Sequence, residues 1–190
     1  MFILHFYNTD EMAQLLRWMR GYNEKAVKDK DLCFYGFDMH SYDVTYDYFI
    51  EAAKTLGADT AELEQIWNTE TTENKYTSQQ KADIINKVKA QLPDNKNLDT
   101  VQAAHFADIL VQNIELSETM DNIQAGLAMR DKLMSENVMW ILEQEKARGN
   151  SRIFISGHNG HFCNRNSFLQ NKKQHAKRGE RTHYVLCIFP

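Results

Sequence analysis

The chain has 190 residues, 43% of them hydrophobic, and a formal net charge of -4; that is enough for one domain with a sizeable core, and it offers no footprint for nucleic acid despite a basic cluster late in the chain. Eight glycines and two prolines are few for this length, which argues for helix-rich packing rather than a many-turned β protein. Cys33, Cys163 and Cys187 are odd in number and lack CxxC spacing, which excludes a disulfide framework or zinc knuckle, and with no secretory core and no run of membrane-spanning length the expected location is the cytoplasm, away from any membrane.

Asn8, Thr9 and Asp10 are capping residues, and behind them EMAQLLRWMRGY places Met12, Leu15, Leu16 and Met19 at helical spacing, predicting an amphipathic helix that ends near Gly21. The run LCFYGF at residues 32–37 reads as a strand that empties into Asp38, Met39, His40 and Ser41. On a continuing strand Asp38 and His40 would share one face. No GxSxG elbow surrounds Ser41, so a serine triad is not the reading. A role for Asp38 in capping the following turn stands beside a functional one.

Residues 46–68 follow a helical pattern that breaks around Gly57 and restarts at Asp59 and Thr60. Thr77 or Ser78 caps a helix through KADIINKVKAQL that ends before Pro93. Residues 99–118 and 121–146 read as two long helices, so that a mid-chain helical block lies between two apolar runs as a lid or cap. In the last helix Leu127, Arg130, Met134, Asn137 and Ile141 recur at three- and four-residue steps, which draws an arginine and an amide along a mainly apolar stripe. A guanidinium on such a stripe needs a carboxylate from another element or a ligand oxygen, unless it snorkels to the surface.

The stretch SRIFISGHNGHFC, residues 151–163, begins as a second buried strand and turns at Gly157 into a loop bearing His158, Asn159 and His161. Imidazoles there suit proton transfer near neutral pH and equally metal ligation, or one bonds the backbone while the other is solvated; the stretch alone leaves these open. Two histidines fall short of the ligands a zinc site needs, and no HExxH is present, so no metal and no cofactor are expected. A solvated basic connection at residues 171–181 and a third β-like run at 182–189 complete the chain. Two apolar runs joined by a long helical crossover predict parallel pairing. The expected fold is therefore α/β, a small mainly parallel sheet with a large helical insertion or cap, with 1-190 as one domain and 43-148 as its mainly helical cap and connection.

FYGFDM at residues 34–39, RDKLMSENVMWILEQ at 130–144 and ISGHNGH at 155–161, with NTDEMAQLLRWMRGYN ahead of them, together resemble the erythromycin esterase family in order and spacing. The resemblance implies hydrolysis of carboxylic esters or macrolide lactones by a histidine that activates water, without a serine nucleophile and without a cofactor; relatives also carry the label succinoglycan biosynthesis protein. It maps the catalytic histidines onto His158 and His161 and the active-site arginine onto Arg130, directed towards the His158 loop; Asp38, His40 and Asn159, which flank these positions in the sequence or follow the first apolar run, are the expected substrate-binding residues. The implied partner is a small-molecule ester or lactone, and no oligomeric state is assigned. In the family an HGTHE-like stretch precedes these segments and supplies the principal base; this sequence has none, so the expectation is a partial domain with reduced or no activity. The alternative is a non-catalytic small-molecule binding module on the same fold.

Overall fold

The computed structural model describes residues 9–27, 30–39, 42–69, 76–95, 97–150 and 152–156. Six helices occur among them: α1 (Asp10–Asn23), α2 (Tyr42–Thr55), α3 (Ala61–Thr69), α4 (Ser78–Lys89), α5 (Leu98–Thr119) and α6 (Ile123–Ala147). Their starts sit where the capping residues put them. The Thr9 hydroxyl accepts the Met12 N–H at 3.2 Å. Thr77 accepts from the Gln80 N–H at 3.2 Å while the Gln80 side chain accepts from the Thr77 N–H at 2.8 Å, so each end of this reciprocal pair satisfies a donor the helix leaves orphaned. Two of the ends are set by glycine. Gly57 and Gly149 adopt φ of 85° and 84°, and behind each the chain closes back on the last turn, Ala58 N–H to Ala53 C=O and Asn150 N–H to Glu145 C=O, the left-handed cap that a side chain would strain.

The chain divides into two compact units, the described residues of Phe37–Glu136 and those of Met1–Gly36 with Asn137–Pro190. In the first, α5 packs against α2 and α4, and α3 against α4. The contact faces follow helical spacing: Tyr46, Phe49, Ile50 and Ala53 on α2 meet Ala107 and Leu110 on α5 and Ile85 and Val88 on α4. Phe49, Leu63, Ile85 and Leu110 are fully buried; each contributes about 1.5–3 kcal/mol, more than an exposed ion pair such as Lys54 with Glu64 supplies. At the edge of this core Tyr46 stacks on Trp67, ring centroids 4.0 Å apart and planes within 7°, and burial pushes the Tyr46 phenol up to about 12. A second apolar cluster joins Met39, Leu116, Leu133 and Met134, with Phe37, Ile109 and Met129 against it.

The other unit is organised by charge. Glu145, in the last turns of α6, is 0% exposed. One of its carboxylate oxygens accepts from the Tyr35 hydroxyl at 2.6 Å and from Arg148 Nη1 at 2.7 Å, and the other accepts from Asn150 Nδ2 at 2.6 Å. Arg148 continues to the Asp31 carboxylate and to the Cys33 sulfur, and Lys30 Nζ donates to the Gly149 carbonyl at 2.7 Å. Asp31, Cys33 and Tyr35 thus all reach the end of α6 at two-residue steps, the spacing of an extended segment. Burial lifts the Tyr35 phenol far above its ordinary value, and its bond to Glu145 lifts it further, so it stays a neutral donor. Burial also raises the Cys33 thiol against the pull of Arg148, which disfavours its thiolate form.

These bonds account for a departure from the expected α/β fold. No strand occurs among the described residues, residues 32–37 and 152–156 included, and a small mainly parallel sheet is not seen. A strand needs a ladder to satisfy its backbone. Here the Leu32 N–H and C=O are both taken by the Asn23 side chain of α1, at 2.7 and 2.9 Å, and the alternate side chains are tied to α6 instead. Leu32 is 5% exposed and Phe34 48%, so the run at 32–37 is not uniformly buried, and a short apolar run does not by itself specify a pairing partner.

Replacing Glu145 by alanine strips Arg148, Tyr35 and Asn150 of their common acceptor, and removing one member of a buried ionic network costs about 3–5 kcal/mol; urea unfolding followed by far-UV circular dichroism should show that loss, with Glu145→Gln losing less because its shape and one carbonyl acceptor remain. His105 on α5 supplies a pH test. Burial depresses its pKa to about 4, with Asp108 opposing the shift and Lys89 adding to it, so below the ordinary value near 6.5 the unfolded chain binds a proton that the folded chain refuses. Stability should therefore fall between roughly pH 6.5 and 4, by at most about 3 kcal/mol, and comparing urea midpoints across this window for the native chain and His105→Leu should show a shallower slope in the variant.

Candidate functional site

Arg130 lies one turn before Leu133 and Met134 on α6, and Asp38 lies between Phe37 and Met39; the neighbours of both belong to the second apolar cluster. Burying those neighbours fixes the two backbones, and the polar side chains meet at the margin. Arg130 Nε and Nη2 donate to Asp38 Oδ1 at 3.0 and 2.8 Å, and Nη2 also donates to Oδ2 at 2.7 Å. The Met39 N–H donates to the same Oδ1 at 2.7 Å, so the carboxylate is oriented from its own backbone as well as by the guanidinium. The Arg130 side chain is 16% exposed and the Asp38 side chain 41%, which leaves the pair open on its acidic side.

Two site residues expected from the sequence are therefore together, though 92 positions apart in the chain. The stripe that carries Arg130 is inward at Met134, Asn137 and Ile141, but Leu127 is 47% exposed, so its inward face begins one step later than the spacing suggests. His158, His161, Asn159 and His40 lie outside the described residues. Among the described residues no group of three or more His, Cys, Asp or Glu side chains is placed to hold a metal ion, and no helix is long and apolar enough to cross a membrane. Sequence reasoning missed the cluster at Glu145. The signal was present: Glu145 falls four residues after Ile141 on the same stripe, and Arg148 three further on.

A match to a family model places the chain among esterase-type hydrolases at the level of family, with a small molecule as substrate. The family model described as Erythromycin esterase matches residues 1–182, and the chain belongs to the erythromycin esterase family. No match was found among the curated proteins or among the solved structures.

Proposed function

We propose that the chain acts on a carboxylic ester or lactone of the macrolide type, with water activated by histidine general base and Arg130 stabilising the carbonyl oxygen. The observation that supports this most directly is the Arg130 guanidinium, 16% exposed and fixed in orientation by Asp38, within a chain whose family match spans both. A guanidinium held in advance of the reaction loses little on meeting the charge that develops on an ester oxygen. His158 or His161 would take a proton from water as its oxygen bonds to the carbonyl carbon. The acyl C–O bond then breaks, and the proton passes to the departing alkoxide, leaving an alcohol and a carboxylate. No cofactor enters these steps.

The purified chain should be assayed with a macrolide lactone and with a simple aryl ester. At most weak hydrolysis above the buffer background is expected, and what there is should fall further in His158→Ala and in Arg130→Ala. Saturable binding of the lactone without turnover would move the chain to the non-catalytic binding module, and absence of both would overturn either reading.

A further inference from the structure

A guanidinium has two faces of donors, one along Nε and Nη2 and one along Nη1 and Nη2, and it recognises a carboxylate or phosphate best when one face is offered whole to a pair of oxygens. In Arg130 the first face is spent on Asp38: Nε and Nη2 converge on Oδ1, and Nη2 reaches Oδ2 at 2.7 Å. Nη1 makes no hydrogen bond among the described residues. The positive charge is also matched by a carboxylate whose side chain is 41% exposed on the accessible side of the pair. Because the Met39 N–H holds Oδ1 at 2.7 Å, the carboxylate does not swing away easily to release the occupied face.

We propose that Asp38 is a positioning and specificity-determining residue acting through Arg130: by occupying the Nε–Nη2 face and balancing the guanidinium charge it leaves the Nη1–Nη2 end as an oriented donor edge with no net positive charge behind it, which suits the carbonyl oxygen of a neutral ester or lactone and disfavours an anion. The inference rests on the ester-directed reading of the site. It adds that the site selects against charged acids, including the carboxylate that hydrolysis itself would generate, because a second carboxylate beside Asp38 meets like charge and a guanidinium whose charge is already balanced. Neutral substrate is admitted and acidic product is expelled by the same side chain.

The test uses inorganic phosphate as the probe, titrated calorimetrically at pH 7 into the full chain. Asp38→Asn should bind phosphate at least about tenfold more tightly than the native chain, and the gain should vanish in the double variant Asp38→Asn with Arg130→Met. Equal phosphate affinity in the native chain and Asp38→Asn overturns the proposal. With a neutral aryl acetate, Asp38→Asn should leave KM within about twofold, lower kcat and strengthen inhibition by acetate, whereas a merely structural loss would move none of these selectively. The phosphate titration needs no turnover, so it tests the role of Asp38 even in a chain that proves not to be a hydrolase. Nuclear magnetic resonance of the native chain covers a variant that does not fold: the Arg130 Nε–H should exchange with solvent much more slowly than that of exposed Arg17, and equal exchange overturns the proposal.

Discussion

A carboxylate shut away from water is tolerated only where both of its oxygens find donors, and Glu145 meets that condition by gathering Tyr35, Arg148 and Asn150 around the end of α6. Everything near it follows from that requirement. The segment carrying Asp31, Cys33 and Tyr35 is held by alternate side chains, the last turn of α6 must close so that Asn150 can fold back, and Gly149 supplies the left-handed residue that permits the closure. Arg148 is the pivot because its planar fork serves Glu145 and Asp31 at once, a task a lysine ammonium would perform without the same geometry. Burial opposes its charge, and the bonds to Cys33 and Asp31 more than offset this, holding its pKa above the ordinary value.

Arg130 and Arg148 show how one residue type is put to opposite uses. Arg148 is enclosed by a fully buried glutamate and by Asp31, so its donors are committed to the fold. Arg130 is committed on one side only, and its partner is open to solvent. A residue at a margin, oriented but incompletely satisfied, is where recognition can occur; a residue at a hub is where it cannot without loss of structure. Apolar packing makes this difference possible, since Met39, Leu133 and Met134 carry the stability around Arg130 that ion pairs carry around Arg148.

The helices were legible because their signals are local. Thr9, Thr77 and Asn97 each accept from a backbone N–H of the first turn they introduce, and Gly57 marks a break because its φ requires it. The meeting of Arg130 with a carboxylate was legible in kind, from the cost of charge on an apolar stripe, but Asp38 as the partner follows from a contact across 92 residues that no spacing encodes. The sheet was misread because residues 32–37 and 152–156 have strand composition while hydrogen-bond partners are a tertiary matter; Asn23 took the backbone groups of Leu32 that a neighbouring strand would have needed. Glu145 was passed over for a related reason. Glutamate in a helix is ordinarily solvated, and only its position one turn beyond Ile141 indicated otherwise.

The stack of Tyr46 on Trp67 also equips the molecule for optical work. The chain has three tryptophans; Trp67 reports on the core formed by α2, α3, α4 and α5, while Trp18, which is 57% exposed and 6.1 Å from the Tyr22 ring, reports on α1. Trp140 belongs with Trp18 to the unit built around Glu145. Emission from a phenylalanine-substituted chain that retains Trp67 alone would follow the melting of one unit, and a chain lacking only Trp67 would follow the other, so whether the two halves of α6 lose their order in one event or in two becomes a matter of comparing two fluorescence curves.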